Sequence, residues 1–545
     1  MRRLSRRAFL GLAGATVAYG TGCTGPGHGQ PSGPLLSIPH QRQDLAAFDH
    51  MVVLMMENRS FDQVLGYLYE PDTVPRGQAF DGVAGKNLAN PIPADADQAA
   101  RQAVPVHWGA VMDHPNPDPG EEYPHVNTQL YGTILPATNQ YQPVAHMAEP
   151  FNVPDPLPAQ ASMSGFVTDY VATLQRAKGR APTYEEYSSI MACFPPAMVP
   201  VLSTLARQFA VCDHWHAAVP SQTFPNRAFF HAGSSSGLVV NDPVFRWYEH
   251  NTAETIFDRI EAGRARGLSW KVYYHKNEFF SYTGLIHHAR LRHYAHSHFA
   301  GIHHFFHDVA TGHLPSYAFV EPRILYNHND MHPPTHALGH TFHSSVLAGE
   351  LLIHQVYDAI RRSASRQGNN FQNTLLVITF DEHGGCYDHV APPTAVPPDL
   401  HRPVGQMGFR FDRLGVRVPT ILVSAYIEAG TVLNTSLEHT SILKTLSEKW
   451  DLGHLTERDK AAHDVREAFN RVMPRQQHEW PVTVPRPLRD ARATNLSHRL
   501  HALQHSFVAL ADAHDGKPEL HRHEVNTVGD AVQFLQRKET PFTAQ

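Results

Sequence analysis

The amino-acid sequence predicts an α/β protein with a mainly parallel sheet flanked by helices. Six apolar runs, at 51–56, 209–213, 270–274, 317–320, 375–380 and 420–424, are short and rich in β-branched, leucine or aromatic residues. Runs of this kind suit strands buried on both faces of a parallel sheet. Helical patterns fall between them, at 161–177, 252–264, 345–362 and 440–450. Strand and helix alternation of that kind calls for a layered fold with crossover helices. Two of the runs end in clusters of carboxylates, and in open α/β sheets ligands bind beyond the carboxyl ends of the strands.

Taken from the N-terminus, the chain opens on an address label. Arg2, Arg3, Arg6 and Arg7 surround the start of an apolar stretch at 8–19, and no acidic residue occurs before Asp44. Ser5-Arg6-Arg7-Ala8-Phe9-Leu10 resembles a twin-arginine export signal, which implies the export machinery as a partner. The stretch is short for a bilayer span, and no long apolar segment follows it, so the mature chain is expected to have no transmembrane segment. Gly20-Thr21-Gly22-Cys23 resembles a lipoprotein processing site but lacks the usual large apolar residue three positions before the cysteine. Simple cleavage and a lipid anchor at Cys23 both remain open, and either places the protein in the periplasm, the cell envelope or the medium. A Gly/Pro/Ser-rich linker follows at 24–45.

The region 46–475 is expected to form the catalytic domain, and 476–545 a small helical C-terminal extension with helices at 497–511 and 528–538. Residues 70–160, rich in Pro, Asn, Asp and His, read as long loops over the site. Beyond Cys23 only Cys193, Cys212 and Cys386 occur, so a single Cys193–Cys212 bridge is the one pairing considered. The formal charge of −6, with no basic stripe, argues against nucleic acid as a partner.

The acidic clusters carry the chemistry. The run at 51–56 leads into Glu57-Asn58-Arg59-Ser60-Phe61-Asp62, and that at 375–380 into Asp381-Glu382-His383-Gly384-Gly385. Carboxylate and amide oxygens gathered at strand ends suit a hard divalent cation, itself a handle for phosphate chemistry. A third segment, Ser221-Gln222-Thr223-Phe224-Pro225-Asn226-Arg227, follows the run at 209–213. Pro225 suits a first helical turn, which would place Thr223 just before a helix N-terminus, where backbone N–H groups favour a phosphate. The residues alone leave Thr223 as either a nucleophile or a helix cap.

These segments, with Asn329-Asp330-Met331-His332-Pro333-Pro334 and the continuation Cys386-Tyr387-Asp388-His389, occur in an order that resembles the bacterial phospholipase C and acid phosphatase phosphoesterase family, within the alkaline-phosphatase-like superfamily. The resemblance covers about 48–469 and implies an alkaline-phosphatase-like core. By position it implies Glu57, Asn58, Asp381 and Glu382 as metal ligands and Thr223 as the nucleophile, whose oxygen also touches the metal. His332 matches a histidine facing the phosphate and is the first candidate for general acid, with His389 second. One divalent cation is implied, with Ca, Mg, Mn and Zn all open.

The expected activity is phospholipase C-type cleavage of phosphodiesters through a phosphothreonine intermediate, on a phosphoester substrate such as a phospholipid at a membrane surface. The alternatives are an acid phosphatase on monoesters and a non-catalytic, His-rich metal- or lipid-binding surface protein. A sulfatase fits less well, because Thr223 stands where a modified Cys or Ser is usual. The sequence departs from the family in Cys386, where an aromatic residue is frequent, and in Ser221-Gln222, where Gly-Pro is common. Ser221 is the second candidate nucleophile. Arg227 is a candidate charge stabiliser or carboxylate partner, and residues 119–125, through His125, are the expected substrate-contact loop. His287-His288 and His303-His304 receive no role from the sequence.

Overall fold

A computed structural model describes residues 45–278, 280–325, 328–333, 336–337, 340–341, 346–399, 401, 404–488, 500, 502–513 and 525–537. The expected signal at 1–23, Cys23, the linker up to 44 and residues 497–499 lie outside the described residues.

All six expected runs become strands of one eight-stranded sheet. In chain order its strands are β1 (His50–Met56), β2 (Ala210–Cys212), β3 (Trp270–Tyr274), β4 (Phe299–Gly301), β5 (Tyr317–Val320), β6 (Thr374–Phe380), β7 (Thr420–Val423) and β8 (Thr431–Leu433). Across the sheet the order is β8-β2-β7-β6-β1-β5-β3-β4. Only β7 runs against its neighbours. The two strands not expected from sequence, β4 and β8, are three-residue edge strands. Their brevity limits the unpaired edge they present.

Register positions the site. β1 and β6 pair in parallel from His50↔Thr374 to Met56↔Phe380. Glu57 and Asp381 therefore leave adjacent central strands at the same level. Every residue of β6 and all but His50 of β1 are buried, as the unbroken apolar runs require.

The described helices used below are α1 (Tyr123–Tyr131), α2 (Phe166–Lys178), α3 (Thr223–Ala232), α4 (Ile256–Ala262), α5 (Ile302–Thr311), α6 (Val346–Arg362), α7 (Thr440–Trp450), α8 (Ala502–Ala513) and α9 (Val528–Arg537). Helix α2 starts later than its apolar pattern because Met163 takes a left-handed φ of 53° and its N–H donates to Leu130 O at 3.0 Å. Helix α4 starts at Ile256 because Thr255 caps it in a reciprocal box with Asp258.

The region 70–160 is not loop throughout. It contains α1, whose buried face includes Asn127, Thr128 and Gln129. Buried polar side chains blur the apolar period that would mark a helix in sequence. The C-terminal helix α8 packs into the core: Phe507 stacks 4.8 Å from Phe224 and 5.1 Å from Tyr282. Cys193, Cys212 and Cys386 are free, buried thiols, so the considered Cys193–Cys212 bridge is not formed. No helix among the described residues is long and apolar enough to cross a membrane.

Candidate active site

Glu57 and Asn58 continue β1, and Asp381 and Glu382 continue β6. All four are buried. Two backbone N–H groups converge on Asp381 Oδ1, from Asn58 at 3.2 Å and Glu382 at 2.8 Å. Asn58 adopts a left-handed φ of 53°. Gly384, at φ +60°, lies so close beneath it that a Cβ there would stand 2.4 Å from Asn58 O. The Gly384 N–H holds Glu382 Oε2 at 2.7 Å. Both glycine properties, the positive φ and the missing side chain, are needed to fold the two loops together.

Thr223 is the first residue of α3 rather than the residue before it, and Gln222 is the N-cap. Asn226 sets the approach to this turn. Its Nδ2 donates to Val219, Ser221 and Gln222 carbonyls, and its Oδ1 accepts from Val219 N. The Thr223 hydroxyl donates to Glu57 Oε2 at 3.3 Å. Ser221 is buried too, but its hydroxyl has no hydrogen-bond partner among the described residues. Of the two hydroxyls, Thr223 is the one joined to the carboxylate cluster.

Arg227, one turn further along α3, pairs with Glu57 Oε1. Its Nε lies 3.4 Å from Asp381 Oδ2, and its guanidinium sits over the Tyr282 ring at 4.9 Å. It is therefore the buried counter-charge of the cluster.

His332 reaches the site from the loop after β5. Its Nδ1 lies 2.7 Å from Pro333 O, and its Nε2 lies 2.9 Å from Asn58 Nδ2. The carbonyl can only accept, so Nδ1 carries the proton and Nε2 accepts from the amide. Burial holds the ring pKa down to about 4.

Glu121 comes from the segment expected to touch substrate, and Asp118 is the residue just before it. Glu121 bonds Asn58 Nδ2 and accepts from Gln222 Nε2 at 3.2 Å. Asp118 Oδ2 lies 3.8 Å from His332 Nε2. His125, at the end of that segment, turns instead to Asp169 Oδ1 at 2.6 Å. Sequence reasoning missed Asp118 and gave Glu121 no role of its own, because nothing local marks an acid in a Pro-rich loop. Gln222 offered a signal, since a buried amide replacing Gly-Pro needs partners.

His389 is not brought to this group. Its Nδ1 lies 2.6 Å from Asp62 Oδ2 and its Nε2 3.0 Å from Asp81 Oδ1. Arg417 completes that network, with Nη2 2.9 Å from Asp62 Oδ1 and Nε 2.9 Å from Asp388 Oδ1. The network ties the loop after β1 to the loop after β6. Asp62, Asp388 and His389 lie close enough to share an ion, but every carboxylate oxygen of Asp62 and Asp388 already accepts a hydrogen bond.

The residues around Thr223 fit a cation better. Asn58 Oδ1, Asp381 Oδ2 and Glu382 Oε1 are buried oxygens without a hydrogen-bond partner. Glu57, Glu382, Glu121 and Asp118 all have pKa values raised well above normal, with burial the largest cause in each. Neighbouring carboxylates add to the rise in all four. Buried acids in such excess are stabilised by pairing or by a metal. Asp118, Glu121 and His332 also place their ligand atoms within 4.8 Å of one another, beside Asn58. Nothing in the donor set decides between the hard cations and zinc.

Comparison with known proteins gives the family. A non-specific phospholipase C3 of Arabidopsis thaliana is 32% identical over 455 residues, covering 80% of this chain and 75% of that protein. A non-specific phospholipase C4 of the same plant is 32% identical over 480 residues, covering 85% and 79%. Phospholipase C B of Mycobacterium tuberculosis H37Rv is 26% identical over 510 residues, covering 86% and 83%. The model of the Phosphoesterase family matches residues 48–453. The chain belongs to the Phosphoesterase family and is a hydrolase of phosphoric ester bonds.

Proposed function

We propose that the protein is an exported, metal-dependent phosphoesterase that cleaves phosphodiesters of phospholipids in phospholipase C fashion, with Thr223 as nucleophile. The observation that carries this reading is the Thr223 hydroxyl at a helix N-terminus, 3.3 Å from Glu57 Oε2 and alongside buried oxygens without hydrogen-bond partners. The similar plant and mycobacterial proteins named as phospholipases C support the diester substrate. The arginine-flanked apolar stretch at 8–19 supports export.

In this reading Thr223 Oγ1 attacks phosphorus and its proton passes to Glu57 Oε2. The bond to the diacylglycerol oxygen breaks, that oxygen takes a proton from solvent water and leaves as the alcohol, and the phosphorylated headgroup stays on Thr223 until Glu57 returns its proton to the threonine oxygen in the second step. Water then attacks the same phosphorus, restores the threonine and releases the headgroup phosphate. Nε2 of the neutral His332 ring can take the proton of that water once Asn58 Nδ2, which donates there at 2.9 Å, releases it. The ring donates to the leaving diacylglycerol oxygen only when charged. A divalent cation on Glu57, Asn58, Asp381 and Glu382 would supply charge stabilisation for the phosphoryl oxygens. Arg227 is occupied by carboxylates and positions Glu57 rather than meeting substrate.

The test is hydrolysis of a chromogenic phosphorylcholine diester beside a simple phosphate monoester, with Thr223→Ala in parallel. A diester preference lost in the variant supports the reading. A monoester preference lost in the variant moves the protein to the phosphatase branch with the same nucleophile. No turnover of either by metal-loaded protein would leave the binding-protein reading.

A further inference from the structure

The histidine pair His303-His304, which the reaction does not use, lines a pocket of about 300 Å³ at the edge of the sheet. Its walls come from β3, the turn carrying Lys276, residues 295–297, β4 and the start of α5. Strand β4 is the third strand out from β1. At about 4.8 Å per strand it lies roughly 15 Å along the sheet from the strand that carries Glu57. The pocket is thus separate from the Thr223 site.

Its charge is one-sided. Lys271, Lys276, His296, His303 and His304 line it, and no carboxylate does. Lys271 is held at 2.9 Å by Asp308, a carboxylate outside the lining that also acts on His304. Lys276 and the rings of His296, His303 and His304 have no hydrogen-bond or ion-pair partner among the described residues. The His303 and His304 rings stand 4.1 Å apart. Burial and His303 already push the His304 pKa down. The first turn of α5 borders the pocket, and its N-cap Gly301 provides no side chain to satisfy the N–H groups there.

Two ammonium groups exclude a metal cation. Several N–H donors spread around a cavity larger than a single ion suit a tetrahedral anion with three free oxygens and room for an ester. We propose that this pocket is a second, non-catalytic site for a phosphate group, held by Lys276, His296, His303 and His304. The phosphate could arrive as a free ion or on the headgroup of a lipid beside the one being cleaved, and the experiment separates the two.

The probes are inorganic phosphate, and vesicles of phosphatidylcholine with or without phosphatidylglycerol. Wild-type protein is compared with the Lys276→Gln/His303→Gln/His304→Gln variant, whose changes all fall on exposed side chains. Hydrogen exchange is read at 295–304, and vesicle retention by cosedimentation. The expected result is slowed exchange with inorganic phosphate, or retention on phosphatidylglycerol vesicles, at least about tenfold weaker in the variant. Slowing by inorganic phosphate identifies a free-ion site; vesicle retention without it identifies a headgroup site. Identical behaviour of variant and wild type, or no response to either probe, overturns the proposal. Turnover of a soluble chromogenic ester, expected unchanged in the variant, reports on the Thr223 site separately.

Discussion

The Thr223 hydroxyl donates to one oxygen of Glu57 while Arg227, four residues along the same helix, holds the other. A single buried carboxylate thus links the proposed nucleophile to the buried guanidinium. The first turn of α3 is built around the acid that ends β1.

That linkage makes Thr223→Ala the decisive substitution of the two hydroxyls. Turnover should fall by at least about a thousandfold, as for loss of a covalent nucleophile. Ser221→Ala should leave most activity, because Ser221 has no bond to the cluster. Steady-state rates of both purified variants check this, and a large loss in Ser221→Ala would reverse the assignment.

Removing Arg227 should damage stability as well as rate. Arg227→Met leaves Glu57 and Asp381 without their buried cation, a change that typically costs about 3–5 kcal/mol. Urea unfolding of the variant without added metal measures the loss. A stability within about 1 kcal/mol of wild type would show that the pair contributes little net energy.

Gly384→Ala should disrupt both ligand-bearing loops at once. The new Cβ would fall 2.4 Å from Asn58 O, at a φ of +60°. We expect a lower Tm and a loss of activity larger than the stability loss accounts for, measured by thermal melts and rates on the same samples.

The network around His389 predicts a pH dependence of stability. Burial opposes the charged ring, but the Asp62 and Asp81 carboxylates overcome it and raise the pKa to about 9 from 6.5. A folded-state pKa above the unfolded one means the protonated ring stabilises the fold. That contribution is complete below about pH 6.5 and is lost as pH rises through about 9. Asp388, raised to about 6, titrates below this window. Denaturant unfolding between pH 6 and 10 should show the decline, and His389→Gln should flatten it.

The central strands were legible because burial on both faces leaves long unbroken apolar runs, as in β1 and β6. The edge strands β4 and β8 were not, since three residues carry too little pattern. Helix α1 hid behind Asn127, Thr128 and Gln129, polar residues turned inward. The C-terminal helix α8 reads as an appendage in sequence, yet Phe507 packs on Phe224, the neighbour of Thr223. Such long-range contacts leave no local trace. At the site, Glu57, Asn58, Thr223, Asp381 and Glu382 stood in ordered motifs at element ends. Glu121 and Asp118 enter only through tertiary folding of a Pro-rich segment. His389, seven residues after Glu382, follows the β6 loop in sequence but is drawn away by Asp62.

The most direct measurement is acid quenching of metal-loaded enzyme during turnover of a diester substrate, followed by peptide mass mapping. The expected result is a phosphorylated headgroup covalently attached to Thr223, and in Thr223→Ser the same adduct on the serine at that position. A modification on Ser221, or active enzyme with Thr223 unmodified under conditions that trap the intermediate, would contradict it.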